Sequence, residues 1–260
     1  YSTSSLFSIL IFLLGQCYLL FLKIKSIYFR GYSPCSKKYI KINLRSIIML
    51  KLGITPNNEK VEFDFKTIDR GHHKVHYRGV QAQRSPFDYV LYQMIIAEVE
   101  PDLIIEIGTN FGGGALYMAD ILNNLGKGEV HSIDISDKCT EIVKAHPRIE
   151  LFHNGFENYD IEIVQSYGKI LVIEDASHMY EDTLSAMNKF CDVVTKNSYL
   201  IVEDGIVDKL GVSKDFNGGP CKAIREFLPQ HPEYIVDRKW CDFFGKNATN
   251  NVNGYLKKIK

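Results

Sequence analysis

Acidic side chains follow several apolar runs of this sequence, where they could bind a cofactor or a metal ion. The run 103–107 is followed by a glycine-rich turn at 108–114, and Asp134 ends the next apolar run. Glycines in such a turn let the backbone approach a ligand closely. An acidic residue at about this distance along the chain is placed to meet a ribose diol. Together, the turn and Asp134 indicate a bound nucleoside.

Glu106, just before the turn, discriminates between two nucleoside cofactors. A dinucleotide would bring a pyrophosphate towards this carboxylate, and the turn departs from the G-x-G-x-x-G order typical of pyrophosphate binding. S-adenosylmethionine instead has a cationic methionine moiety, which can donate hydrogen bonds to a carboxylate. The residues therefore favour S-adenosylmethionine, and a dinucleotide-dependent oxidoreductase is the less favoured enzyme.

Two later apolar runs end in Glu-Asp pairs, Glu174-Asp175 and Glu203-Asp204. If both runs are parallel strands, their carboxyl ends line one crevice beside the cofactor. Clustered carboxylates repel one another unless a cation is present, and an all-oxygen set suits Mg²⁺, Mn²⁺ or Ca²⁺ better than zinc. His178, three residues after Asp175, could serve as a general base near neutral pH. The alternative interpretation is a set of solvated loop acids with a capping histidine.

The predicted elements that position these residues alternate between strands and helices, which is typical of an α/β fold with a parallel sheet. Alternation and apolar runs predict strands at 103–107, 129–135, 150–153, 169–174 and 199–202. Helical periodicity predicts helices at 87–98, 115–125, 180–195 and 221–228. In this arrangement the glycine-rich turn follows a strand, and Asp134 and both Glu-Asp pairs lie at strand ends.

The most apolar segment of the chain lies ahead of this body, at residues 6–22. It carries no charge, and as a helix it would extend about 25 Å, which could just span a bilayer. Basic side chains that follow such a span favour the cytoplasmic side. We therefore expect an N-terminal hydrophobic helix within 1–29, single-pass membrane association through residues 6–22 and a cytoplasmic catalytic domain. A cleaved signal peptide and a core or interfacial helix are the alternatives.

The charge distribution separates the remaining regions. Residues 1–58 hold eight basic side chains and no acidic one, so the rest of the chain has 23 basic and 31 acidic side chains, a net charge of −8. We interpret residues 30–74 as a basic linker and 75–260 as the folded domain. An acidic domain argues against a nucleic-acid partner. The six cysteines lack C-x-x-C spacing, which indicates neither a zinc ribbon nor a disulfide framework.

A nearby group of histidines, His72, His73 and His76, could form a small metal cluster. They lie in a predicted loop, without regular ligand spacing from cysteines or carboxylates. We therefore favour a solvated or packed loop here.

An ordered series of motifs in residues 75–260 resembles the cephalosporin hydroxylase and rhamnosyl O-methyltransferase family. The matching residues are Tyr77-Arg78-Gly79, Pro86-Phe87-Asp88, Glu106-Ile107-Gly108-Thr109, Gly112-Gly113, Asp175-Ala176-Ser177-His178, Val202-Glu203-Asp204, Gly219-Pro220, Ala223-Ile224, Glu226-Phe227-Leu228 and Gly254-Tyr255-Leu256. The family commonly has Ser where this chain has Gly114, so one hydroxyl contact is not expected here.

The resemblance implies a Rossmann-like class I methyltransferase fold, with a mostly parallel seven-stranded sheet and helices on both faces. It implies a Mg²⁺ site on Asp175, Glu203 and Asp204, with His178 at the position of the catalytic base. Residues at and around its donor-binding positions are Glu106, Gly108, Thr109, Asn110, Gly112, Asp134 and Asp175.

We therefore expect an O-methyltransferase that uses S-adenosylmethionine and Mg²⁺. The acceptor would be a hydroxyl of a sugar or glycosylated metabolite, and the chain would be able to form a homo-oligomer. In this mechanism His178 takes the hydroxyl proton and the alkoxide attacks the methyl group in line. The alternative from another class is a non-catalytic, membrane-tethered module that keeps the donor-binding fold.

Overall fold

The structure is a computed structural model that describes residues 64–260. Its strands are β1 (His76–Tyr77), β2 (Val80–Gln81), β3 (Leu103–Ile107), β4 (Glu129–Ile133), β5 (Ile149–Phe152), β6 (Ile170–Glu174), β7 (Tyr199–Val202), β8 (Tyr234–Val236) and β9 (Tyr255–Lys258). Its α-helices are α1 (Phe65–His72), α2 (Pro86–Val99), α3 (Gly113–Leu125), α4 (Glu141–Lys144), α5 (Tyr180–Phe190), α6 (Val207–Leu210), α7 (Gly219–Phe227) and α8 (Arg238–Cys241). Short 3₁₀ turns lie at Phe156–Asn158, Ile161–Val164 and Ser213–Phe216.

Seven strands form one sheet in the order β5-β4-β3-β6-β7-β9-β8, while β1 and β2 form a separate hairpin. Among these seven strands, β9 alone runs in the direction opposite to the other six. The strand order reverses between β3 and β6, which is where a doubly wound sheet opens a crevice for a ligand. Ile107 pairs with Ile133 on one side and with Glu174 on the other, so three strands end at the same level.

The core lies on both faces of the sheet. On one face Ile105 and its neighbours pack with α5 and α7, whose largest core side chains are Phe190 and Phe227. On the other face Ile104 packs with α2 and α3, through residues such as Leu91. Every residue of β3 is buried, because alternate side chains enter the two cores. The predicted α/β class, mostly parallel seven-stranded sheet and helices on both faces are confirmed.

The strands at 103–107 and 199–202 begin and end where the sequence predicts, whereas other elements differ. β4 ends at Ile133, two residues earlier than predicted, so Asp134 follows the strand. The helix predicted at 180–195 ends at Phe190. The hairpin, β8 and β9 have no counterpart in the prediction because they are short, and because the hairpin and β9 also carry polar or charged side chains.

Helix α1 lies in residues that the sequence interpretation assigned to the linker 30–74. Asp64 caps its first turn, since the carboxylate accepts hydrogen bonds from the backbone N–H and the hydroxyl of Thr67. The helix is mostly polar, so apolar periodicity does not reveal it. Its last residue, His72, is nevertheless buried.

The predicted hydrophobic helix in 1–29 lies outside the described residues. Within residues 64–260 no helix is both long and apolar enough to cross a bilayer. We therefore withdraw the predicted single-pass membrane localisation through residues 6–22, with its cytoplasmic orientation. Seventeen uncharged residues, about 25 Å as a helix, lie at the lower limit of the length that spans a bilayer.

The burial of β3 predicts how much stability is lost when one of its core side chains is shortened. Ile105 is fully buried, so replacing it with Ala leaves a cavity that β4 and β6 cannot fill. We expect Ile105→Ala to lower the free energy of unfolding by about 2–5 kcal/mol in urea denaturation. Ile135→Ala is the matched control, because that side chain is 84% exposed and its loss should change stability by about 0.5 kcal/mol or less. Equal effects of the two substitutions would contradict the described core.

Candidate active site

A cavity of about 640 Å³ opens at the carboxyl ends of β3, β4 and β6. It lies at the reversal of strand order, as expected for a ligand site in this topology. Of the predicted site residues, the cavity wall contains Glu106, Gly108, Thr109, Asn110, Asp134, Asp175, His178 and Asp204. Gly112 and Glu203 do not form part of that wall.

Glu106 is buried in β3 and held by a polar chain. Its Oε2 accepts a hydrogen bond from the hydroxyl of Ser132 at 2.6 Å. The Ser132 Oγ in turn lies 2.7 Å from Thr109 Oγ1. Burial raises the pKa of the Glu106 carboxyl to about 7, although the Arg84 charge opposes the shift. Near neutral pH the carboxyl can therefore be found either protonated or ionised.

Two glycines of the turn lie close to other atoms of the site. Gly108 has φ +105°, and a Cβ there would lie 2.0 Å from the backbone oxygen of Asp175. A Cβ on Gly114 would lie 2.5 Å from Glu106 Oε1. Gly108 thus lets the ends of β3 and β6 meet, while Gly114 leaves the Glu106 carboxylate room that a side chain would occupy.

Asp134 closes the glycine-rich turn from the neighbouring strand. Its Oδ2 accepts from the backbone N–H of Asn110 at 2.8 Å, and its Oδ1 accepts from the backbone N–H of Ser136 at 3.0 Å. Asn110 also donates from its side chain to Gln83 Oε1 at 2.6 Å. Asp134 is thereby fixed at the cavity wall, and its contact with a ribose diol stays a prediction.

Asp175, His178 and Asp204 are brought together although they come from two strand ends. One ligand atom from each lies within 4.8 Å of the other two, and His178 Nε2 is 3.3 Å from Asp204 Oδ2. His178 and Asp204 have φ values of +58° and +52°, which residues other than Gly seldom adopt. The surrounding structure therefore holds both residues in conformations of higher backbone energy, as occurs at functional sites.

This arrangement fits a divalent cation. Burial raises the pKa of Asp175 well above its usual range, and the charges of Glu203 and Asp204 raise it further. A cation between the carboxylates would remove this repulsion, and hard cations such as Mg²⁺ prefer carboxylate oxygens. Asp175 and Asp204 would supply those oxygens.

Glu203 points into a different environment from the other two predicted metal ligands. Its Oε1 lies 2.5 Å from Arg84 Nη2 and also accepts from the hydroxyl of Tyr92. It is buried, and it does not belong to the three-residue cluster of Asp175, His178 and Asp204. Its role as a metal ligand stays a prediction.

Arg84 is the residue of this site that sequence reasoning missed. Only 2% of its side chain is exposed, and Nη2 lies 3.6 Å from Asp175 Oδ2 and 3.9 Å from Glu106 Oε1, besides the contact with Glu203. Its guanidinium lies over the ring of Tyr92 at 4.3 Å. Burial alone would lower the pKa of Arg84, but the charge of Glu203 holds this pKa above its usual range. The pairing joins residues 119 positions apart, for which a single sequence carries no signal.

Two solved structures are similar to this fold. A CmcI structure described as containing Mg and SAM is 18% identical, with a TM-score of 0.57, and the match covers 88% of this chain and 90% of that one. A second CmcI structure, described as containing SAH, is 16% identical, with a TM-score of 0.59, and the match covers 88% of this chain and 98% of that one. The chain therefore has the Rossmann-like methyltransferase fold.

Sequence comparison identifies the family. Residues 70–259 match the family described as Rhamnosyl O-methyltransferase/CmcI. A rhamnosyl O-methyltransferase of Mycobacterium tuberculosis is 30% identical over 193 residues, which are 70% of this chain and 78% of that protein. Its counterpart in Mycobacterium leprae is 31% identical over 188 residues, which are 69% and 81%. The chain belongs to the rhamnosyl O-methyltransferase/CmcI family.

Membership confirms the predicted resemblance and the predicted enzyme class, an O-methyltransferase. It gives no support to the oxidoreductase or to the membrane-tethered module. The expected homo-oligomer stays a prediction.

The buried ion pairs of Arg84 make a prediction about stability. Replacing Arg84 with Met leaves the buried Glu203 without its cation, and the loss of one partner of a buried pair costs about 3–5 kcal/mol. We expect Arg84→Met to lower the free energy of unfolding by that amount in urea denaturation. Arg78→Met is the matched control, since Arg78 pairs with Asp120 at 2.9 Å with 45% of its side chain exposed, and its loss should cost about 1 kcal/mol or less. A cost at Arg84 no larger than at Arg78 would show that Arg84 does not balance the buried charge.

Proposed function

We propose that this chain transfers the methyl group of S-adenosylmethionine to a hydroxyl of a sugar or glycosylated metabolite, with Mg²⁺ as the second cofactor. The proposal rests on one observation above all. The cluster of Asp175, His178 and Asp204 opens into the same cavity as Glu106 and Asp134. The residues proposed as the base, the cation site and the nucleoside site therefore line one cavity. We assign the catalytic domain to residues 75–260 together with α1.

The donor would lie along the glycine-rich turn. The Glu106 carboxylate suits the cationic methionine moiety, and Asp134, fixed by the Asn110 backbone, suits the ribose diol. Thr109 and Gly108 form the wall between them. A nucleoside with a charged amino-acid tail matches these groups better than a dinucleotide, whose pyrophosphate Glu106 would repel.

The acceptor hydroxyl would lie near His178. The cation, when bound by Asp175 and Asp204, supplies positive charge that lowers the pKa of an acceptor hydroxyl. The nearby Asp204 oxygen, 3.3 Å from His178 Nε2, stabilises the positive charge that the His178 ring gains when it takes the hydroxyl proton. The acceptor oxygen then bonds to the methyl carbon as the carbon–sulfur bond breaks, which leaves S-adenosylhomocysteine.

A second groove of about 540 Å³ adjoins the first cavity and supports a glycosylated acceptor. His178 and Asp204 line both spaces, so a molecule in the groove would reach the proposed base. The groove wall combines polar and apolar side chains, namely Lys66, Asp69, Arg70, His72, His73, Ile206, Val207, Leu210, Val212 and Phe216. Relatives named rhamnosyl O-methyltransferase support a sugar as the group that is methylated.

Removing the base tests the proposal. We expect His178→Ala to lower kcat for methyl transfer by about 10²–10⁴-fold, which is the usual contribution of a general base, while the donor Kd changes little. Transfer would be followed by S-adenosylhomocysteine release with a panel of rhamnosides, and donor binding by calorimetry. His153→Ala, at an exposed histidine, is the control. Undiminished turnover in His178→Ala would exclude His178 as the base.

The pKa of Glu106 predicts how donor binding depends on pH. The carboxyl has a pKa of about 7 and accepts hydrogen bonds from a cation better when ionised. Donor affinity should therefore rise as the pH increases from about 6 to 7.5 and should fall when the carboxyl is protonated. In Glu106→Gln, which cannot ionise, calorimetry should show weaker binding and a flatter profile. Identical pH profiles for the two proteins would remove Glu106 from the donor site.

A further inference from the structure

Three side chains that could bind a metal ion lie together at the C-terminal end of α1, separate from the cluster of Asp175, His178 and Asp204. One ligand atom from each of Asp69, His72 and His73 lies within 4.8 Å of the other two. The spacing of three and four residues brings side chains to one side of a helix, and α1 extends to His72 with His73 as its C-terminal cap. His76, which the sequence analysis considered together with His72 and His73, is not part of this cluster. The third member is Asp69.

An unpartnered nitrogen supports a ligand at this cluster. His72 is 95% buried, and its Nδ1 has no hydrogen-bond partner among the described residues, although Asp69 Oδ1 lies 3.4 Å away. A buried polar atom without a partner is uncommon in folded proteins. A cation between Nδ1 and the Asp69 carboxylate would satisfy both.

Two imidazoles and one carboxylate define the class of ion. Imidazole nitrogen suits Zn²⁺ and its neighbours among the divalent transition metals, whereas Mg²⁺ prefers oxygen. Three protein ligands also leave positions open for water or a substrate oxygen. We propose that Asp69, His72 and His73 form a second metal site, which binds a divalent transition metal of the zinc type.

The proposed second metal site lies at the side of the cavity where the adjoining groove begins. His72 and His73 line both the cavity and the groove, together with His178 and Asp204. Lys66 and Arg70 also line the groove, where the Asp69 and Asp204 carboxylates oppose their positive charges. The open positions of the ion would thus be available to an acceptor oxygen. Metal binding itself does not depend on the proposed methyl transfer.

Co²⁺ provides a spectroscopic probe for this site, because it takes the same ligands as Zn²⁺ and its visible absorption reports coordination. The full chain would be titrated with Co²⁺ in millimolar Mg²⁺, so that Mg²⁺ occupies the proposed site at Asp175 and Asp204. We expect one tightly bound Co²⁺. In Asp69→Asn and in His73→Ala its Kd should rise by more than about tenfold, since each variant loses one ligand.

The variants are chosen so that folding does not obscure the result. His73 is exposed, so its replacement leaves the buried His72 in place. His76→Ala, at an exposed histidine four residues from His72, should bind Co²⁺ as the wild type does. Absence of Co²⁺ binding, or loss of binding in Asp204→Asn rather than in His73→Ala, would overturn the proposal. Donor binding, measured separately by calorimetry, shows whether the proposed function stands independently.

Discussion

The buried guanidinium of Arg84 holds the carboxylates of this site together. Arg84 contacts Glu203 closely and lies within 4 Å of Asp175 and Glu106, so it joins the ends of β7, β6 and β3. Without it, carboxylates from neighbouring strands would repel one another in surroundings that screen charge poorly. Arg84 itself is held because it directly precedes Ser85, the N-terminal cap of α2. The register of α2 therefore determines where the charge of the site is balanced.

The topology explains why the donor and metal residues meet. The chain runs outward from β3 through β4 to β5 and then returns to β6 on the other side of β3. Asp134 and Asp175 thus flank the same central strand, and Glu106 occupies that strand. Gly108 permits the close contact between the segments that follow β3 and β6. The crevice that contains the proposed nucleoside and cation sites results from one change in strand order.

The sequence predicted much of the central fold, because strands buried on both faces are continuous apolar runs. β3 and β7 have the predicted limits, and the acidic residues after β6 and β7 converge as parallel strand ends require. β9 was missed since its lysines make it look like a polar tail, and α1 since it has few apolar residues. The Arg84–Glu203 pair depends on tertiary folding, which local patterns do not encode. The environment of Glu203 differs from the prediction for the same reason.

The position of β9 has a consequence for how the protein is made. β9 lies between β7 and β8, and its backbone pairs with both, so a strand from the last residues of the fold occupies an interior place in the sheet. During synthesis, β7 has no partner on that side until residues 255–258 have left the ribosome. The segment after β7, which carries Asp204, is also tied to this region through Asn251, whose side chain accepts from the Asp204 backbone N–H. The nascent chain therefore exposes an unpaired strand edge until translation of the domain is finished, and a chaperone that shields such edges would act in that interval.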